Sequence, residues 1–324
     1  MPKSTALTIG TFDGVHIGHA ALLRCARERI GATGRIVALA FEPHPLTALC
    51  PGLAPPRLTA FDQRRELLLA AGADEVHHLR PDGETLGLEP EEFIRRLVEA
   101  HRPSLIVEGC DFRFGRRRAG DFALLSALGQ RHGFETICLP EVEVCLADHS
   151  LVRASSSLAR WLLHHGRLRD LRRVLGHPYE VRGEVLRGQQ RGRTIGFPTA
   201  NLHPEQTLPC PAVYVGRATT PSGRTYDAAI NVGANPTFGE TYRHAEVHLI
   251  DCQELDGEYG WELRVEFHAW LRDLIRFDGP ESLQAQIARD VARAGSLLHD
   301  PGLAEETHPA AGDSPSTEPA RSSG

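Results

Sequence analysis

The stretch Gly10-Thr11-Phe12-Asp13-Gly14-Val15-His16-Ile17-Gly18-His19 constrains the fold of this chain more than any other. A short apolar run, Ala6-Leu7-Thr8-Ile9, leads into it, and an apolar-periodic segment from Ala20 to Ile30 leads out. Strand, glycine-rich turn and helix entry in that order mark the place where an α/β sheet holds anionic ligands. Gly10 and Gly14 let the backbone approach a ligand closely, and a helix after Gly18 points free N–H groups and a partial positive charge at it. His16 and His19 add donors that follow a phosphate as its charge grows. The arrangement suits holding a triphosphate rather than supplying a nucleophile.

His16-x-x-His19 also reads as a surface pair or as two metal ligands. Metal is the poorer reading, since no carboxylate or cysteine stands at ligand spacing and Cys25 is alone. Directly after a strand, the whole decamer resembles the HxGH signature of nucleotidyltransferases, in the form found in bacterial bifunctional riboflavin kinase/FAD synthetases. That resemblance implies nucleotide contacts for Gly10, Phe12, Asp13 and Gly18 and a catalytic part for His16 and His19.

A chain of 324 residues is long for one domain and comfortable for two, each with its own core. A net charge of −6 argues against nucleic acid as a partner. No apolar run is long enough to span a membrane, and Met1-Pro2-Lys3-Ser4 leads into a strand without a signal-peptide core. The seven cysteines are scattered and never form C-x-x-C, so they read as reduced residues of a cytoplasmic protein.

The first half alternates strand-like and helix-like segments, which predicts a parallel sheet flanked by helices. Strands are expected at Arg35 to Phe41, Glu75 to Leu79, Leu105 to Val107 and Thr136 to Leu139. Thr59-x-x-Asp62 reads as a capping box opening a helix that stops at Gly72, and Asp121 as the cap of another. Beyond Gly176-His177-Pro178 the period changes to short alternating strands, as in Tyr179 to Val185, Val213 to Val215, Ala245 to Leu249 and Leu263 to Phe267. That predicts an antiparallel barrel or sandwich. An amphipathic helix from Ser282 to Leu298 closes it, with Leu283, Ile287, Val291 and Leu297 as apolar positions. The expected division is therefore a Rossmann-like α/β domain over 1–176, an antiparallel β-barrel over 177–300, and a disordered tail over 301–324.

Three further constellations carry chemistry. Glu108 to Gly115 follows a strand at the same sheet edge, where Asp111 can contact a ribose or base. The glycines from Gly115 to Gly120 have Walker-A spacing, but Asp121 stands where that motif needs lysine, so a P-loop is excluded. Ser155-Ser156-Ser157-x-x-Arg160 offers hydroxyls, helix N–H groups and a guanidinium to the phosphates of a leaving pyrophosphate, or else is a plain N-cap. The resembling family carries Ser-Ser-Thr-x-Ile-Arg here; Ser157, Leu158 and Ala159 are the departures.

Gly188 to Asn201 is the sharpest motif of the second half and resembles the riboflavin kinase signature. Gly188, Arg193 and Gly196 belong to its glycine-rich arch over ATP, and Pro198-Thr199-Ala200-Asn201 follows. Thr199 and Asn201 alternate on an extended segment, so both oxygens can face one Mg²⁺ held together with substrate phosphates. Asn231 opens a segment matching the family's next loop, and Glu246 stands where the family places its catalytic carboxylate. Ala212 stands where glycine is usual.

The resemblance runs from about Leu7 to Leu298 and implies two reactions. The barrel would phosphorylate riboflavin with ATP to FMN, and the first domain would adenylylate FMN with ATP to FAD. The catalytic residues implied are Glu246, His16, His19 and Arg160. Two alternatives stay open: a kinase beside a decayed nucleotidyltransferase, and a non-catalytic flavin- or nucleotide-binding regulator. Small molecules are the expected partners, and the sequence leaves homo-oligomerisation open.

Overall fold

A computed structural model describes residues 4–187, 192, 196–234, 243–252 and 259–299. Its first half runs β1 (Thr5–Gly10), α1 (Ile17–Ile30), β2 (Arg35–Phe41), α2 (Pro45–Leu49), α3 (Phe61–Ala70), β3 (Glu75–Leu79), α4 (Gly83–Gly87), α5 (Pro90–His101), β4 (Leu105–Gly109), α6 (Phe122–His132) and β5 (Glu135–Leu139). The five strands are parallel, in the order β3-β2-β1-β4-β5. Ile36 to Ala40 and Leu105 to Val107 are buried without a break, as a sheet covered on both faces requires.

Strand order reverses beside β1, so a crevice opens at the carboxyl ends of β1 and β4. Pairing shows how. β1 stays with β2 as far as Gly10↔Ala40, and β4 with β5 as far as Gly109↔Leu139. Between β1 and β4 the ladder ends already at Leu7↔Ile106.

A hairpin, β6 (Glu143–Cys145) and β7 (Leu151–Arg153), precedes α7 (Ser156–His164) and α8 (Leu168–Leu175). The second half comprises β8 (Tyr179–Leu186), β9 (Ala200–Leu202), β10 (Ala212–Thr219), β11 (Thr225–Ala234), β12 (Arg243–Leu249) and β13 (Glu262–Arg272). They form a closed antiparallel barrel in the order β10-β11-β12-β9-β8-β13. Interior and exterior alternate along each strand. Ala200, Leu202, Ile230, Val232, Ala245 and Val247 fill the inside. Helix α9 (Pro280–Leu298) packs on β10, β11 and β13. A forked ion pair fastens it, Arg272 Nη2 lying 2.7 Å from Asp290 Oδ2. Asp290, Ala294 and Leu298 are its buried residues, while Leu283, Ile287, Val291 and Leu297 are half-buried.

Four local expectations need correction. Thr59 does not cap α3, whose N-cap is Ala60 without a side-chain bond; the Thr59 hydroxyl turns instead to Asp13 and Gly14. Helix α1 starts at Ile17, before Gly18, because His16 itself caps it. Residues Asn231 to Ala234 are the end of β11 rather than a loop. Cys110 and Cys138 are joined in a disulfide, not reduced; β4 and β5 bring their Cα atoms to 5.1 Å.

The core crosses the expected boundary at Gly176. Leu163, Leu168, Leu171 and Val174 share one apolar cluster with Tyr179, Val181 and Phe267, and α8 packs on β8 and β13. A fragment starting at residue 175 strips that face from the barrel, and each large apolar side chain lost from a core costs about 2–5 kcal/mol. A fragment of residues 154–299 should therefore unfold at distinctly higher urea than one of residues 175–299. Equal midpoints would show that α7 and α8 add nothing to the barrel.

Candidate active sites

The first site is built on the turn between β1 and α1. His16 is extended (φ −71, ψ 170), and its Nδ1 accepts the Gly18 amide at 3.2 Å. His19 Nδ1 accepts the His16 amide in return, also at 3.2 Å. This is a capping box made of two imidazoles. Gly18 leaves room for the His16 ring, since a Cβ there would lie 3.0 Å from it. With both Nδ1 atoms used as acceptors, a neutral ring carries its proton on Nε2. The rings stack with centroids 3.6 Å apart, an arrangement that two imidazolium ions would oppose. Burial, with Arg153 adding, lowers His16 from 6.5 to about 4. His19 is lowered well below its usual value by burial first, then by His16 and Arg64. At neutral pH the pair is uncharged and offers two Nε2–H donors.

A stability consequence follows, with a definite sign. The unfolded chain protonates His16 near 6.5 and the folded chain only near about 4, so stability falls as the pH drops through that window. Between pH about 7 and about 5 His16 alone costs about 2 kcal/mol. His16→Asn keeps a capping acceptor without a titrating ring, so its thermal unfolding should shift less over that interval. An unchanged acid shift would mean that His16 is not the group responsible.

A cavity of about 270 Å³ opens between the ends of β1 and β4. Of the residues expected from the sequence, Gly10, Phe12, His16, Gly18, His19, Asp111 and Ser155 line it. Asp13, Ser156, Ser157 and Arg160 stand outside that lining. The buried Asp13 carboxylate accepts the Leu58 and Thr59 amides at 3.1 and 2.9 Å. Arg160 Nη2 lies 2.5 Å from Asp13 Oδ2, and its Nε donates to the Pro56 carbonyl. Ser156 Oγ donates to the Asp13 carbonyl at 2.7 Å. Asp13, Ser156 and Arg160 thus knit the turn to α7, and Ser157 lies exposed on the same helix. Ser155 caps α7 by accepting the Leu158 amide.

Arg153, at the end of β7, lines the cavity and is not among the residues expected from the sequence. It pairs with Asp111 and Glu141, each at 2.5 Å, and holds the Asp111 carboxyl below its usual range. The only sequence signal for it is an arginine ending a three-residue strand just before the serines.

The second site lies on the outer wall of the barrel. Register sets Glu246 on β12 directly between Asn201 on β9 and Asn231 on β11. Directly opposed residues share a face, so the three polar side chains form one row. Asn231 Nδ2 donates to Glu246 Oε2 at 3.2 Å, and His244 Nε2 lies 3.5 Å from Glu246 Oε1. Thr199 immediately precedes β9. A Cβ on Gly192 would sit 2.3 Å from the Phe197 carbonyl oxygen and 3.4 Å from Thr199 Oγ1, so only glycine brings the chain across there. Pro198 accepts from His248 through its carbonyl, and Gly196 sits at φ +82. Gly188 and Arg193 lie outside the described residues.

Two family models match the chain in this order: FAD synthetase over residues 1–151 and riboflavin kinase over residues 175–298. Over 301 residues the chain is 36% identical to the bifunctional riboflavin kinase/FMN adenylyltransferase of Escherichia coli strain K12, covering 89% of this chain and 91% of that one. The chain belongs to the bifunctional riboflavin kinase/FMN adenylyltransferase family. Another member, from Haemophilus influenzae, is 35% identical over 92% of this chain and 95% of its own. A crystal structure described as a macrolide-efflux protein from Streptococcus pneumoniae is 28% identical, with a TM-score of 0.79, over 91% of this chain and 95% of that one. Efflux is said of that protein alone; among the described residues of this family member no helix is long and apolar enough to cross a membrane.

Proposed function

We propose that this chain phosphorylates riboflavin to FMN in its barrel and adenylylates FMN to FAD in its parallel-sheet half, with ATP as donor in both steps. The strongest support is that each half holds its own complete polar constellation. One is the paired imidazoles at the entry of α1; the other is the Asn201–Glu246–Asn231 row. The division between them is read at residues 176 and 177, and the tail over 301–324 lies outside the described residues.

In the kinase step the riboflavin 5′-hydroxyl oxygen attacks the γ-phosphorus of ATP, the bond to ADP breaks, and Glu246 takes the hydroxyl proton. Asn231 holds that carboxylate from one side. Thr199 and Asn201 present neutral oxygens, a donor set that suits Mg²⁺ sharing its shell with nucleotide phosphates. Among the described residues no group of three or more His, Cys, Asp or Glu side chains could hold a metal by itself. When bound, Mg²⁺ supplies charge neutralisation on the phosphates.

In the adenylyl step an FMN phosphate oxygen attacks the α-phosphorus of a second ATP, and the bond to pyrophosphate breaks. The nucleophile is already an anion, so no base is needed. His16 and His19 donate from Nε2 to the reacting phosphates, with Ser155 and Arg153 as further donors at the cavity wall. Arg160, engaged by Asp13, acts through the turn, and Gly10, Phe12, Gly18 and Asp111 shape the nucleotide pocket. Riboflavin, FMN and ATP are the partners, and the cytoplasm is the expected location. Incubation with riboflavin, ATP and Mg²⁺ followed by chromatography tests this directly. FAD is the expected product, FMN alone would leave only a kinase, and neither would leave a binding protein.

A further inference from the structure

Glu108 sits where β1 and β4 part. Its carboxyl is buried (3% exposed), accepts the Ile9 amide at 2.5 Å, and contributes to the cavity wall. The β1–β4 ladder has ended one residue before Thr8, so a side chain, not a strand, holds the Ile9 amide on that side. The Thr8 hydroxyl beside it is buried and makes no hydrogen bond among the described residues. We infer that Glu108 is a positioning residue for adenylyl transfer, fixing the end of β1 through Ile9 so that Gly10, Phe12 and the two imidazoles meet the cavity in register. This rests on the adenylyl-transfer reading of that cavity.

Its charge state suits the role. Burial, with Asp111 adding, pushes the Glu108 carboxyl well above its usual range, against the opposing pull of the Ile9 amide and Thr8. That direction favours the uncharged form, which adds no repulsion to a pocket for polyphosphate. Losing the proton at higher pH would place a buried negative charge there and stress the bond network. The groups facing it are His16 and His19 from α1, Asp111 from its own loop, Glu141 after β5 and Arg153 from β7. The imidazoles are already neutral, the Asp111 carboxyl is already ionised, and Arg153 is held protonated by Asp111, so none of these three sets supplies an alkaline limb.

The test measures FAD formation from supplied FMN and ATP across neutral to alkaline pH, with riboflavin phosphorylation as an internal control. The unaltered protein should lose kcat by about tenfold per pH unit above the Glu108 transition. Glu108→Gln keeps an acceptor for Ile9 but no titrating proton, so its profile should stay flat. Glu108→Ala should lose roughly tenfold or more in kcat at neutral pH through misplacement, with phosphorylation of riboflavin intact. A Gln variant with the wild-type alkaline limb, or a folded Ala variant with wild-type kcat, overturns the role. If the Ala variant fails to fold, the Gln profile decides alone. Absence of FAD from the unaltered protein would overturn the adenylyl reading and this role together.

Discussion

Glu246→Gln should lower riboflavin phosphorylation by roughly 10²–10⁴, the range for removing a general base, while FAD formation from supplied FMN stays at the wild-type rate. The substitution is nearly isosteric. The Gln carbonyl still accepts from Asn231 Nδ2, which now meets Glu246 Oε2 at 3.2 Å, so the row across β9, β12 and β11 is kept. The negative charge facing His244 goes, and with it the capacity to take a proton. The side chain points outward from a wall whose inward neighbours Ala245 and Val247 are fully buried, so the fold should not notice the change. A fall in both activities, or in neither, would remove Glu246 from the role of base.

Much of this architecture is legible in the sequence because it rests on local period. The runs Ala6 to Ile9, Ile36 to Ala40 and Leu105 to Val107 are buried on both faces, so continuous apolar residues mark them. Strand β12 reads as clearly, with Ala245, Val247 and Leu249 inside and Glu246 outside. Strand β9 shows only as the extended stretch from Thr199 to Asn201, because three residues carry little period, and the Asn231 end of β11 escapes because Asn and Gly look like turn formers. Thr59 misleads for a different reason. Ser and Thr before a helix suggest a cap, but the Asp13 carboxylate, 46 residues away in sequence, claims this hydroxyl.

The same limit applies to the candidate sites. His16, His19 and Glu246 are visible as motif positions, whereas partners set by tertiary contact are not. Sequence spacing cannot reveal that Arg160 meets Asp13 rather than the cavity, since 147 residues separate them. Nor can it reveal that Arg153 turns into the cavity or that Glu108 fills the gap between two central strands. The disulfide between Cys110 and Cys138 depends on β4 and β5 being neighbours, which the order of elements along the chain does not state.

His19 has two separable duties, and two substitutions divide them. Its Nδ1 accepts the His16 amide and so closes the cap of α1; its Nε2–H is left for a ligand phosphate. Asn places an acceptor near the Nδ1 position and nothing at Nε2. His19→Asn should therefore melt near the wild-type temperature yet lose roughly 10² or more in FAD formation, the scale of deleting one transition-state donor. Gln reaches the Nε2 position with an N–H but gives up the cap, which is worth about 1 kcal/mol. His19→Gln should melt lower and keep more adenylyl transfer than His19→Asn. Riboflavin phosphorylation, on the barrel's outer wall, should be equal in all three proteins. If the Asn variant makes FAD at the wild-type rate, the imidazole serves the helix and not the phosphate. The paired Nε2–H donors would then have to be assigned to His16 alone.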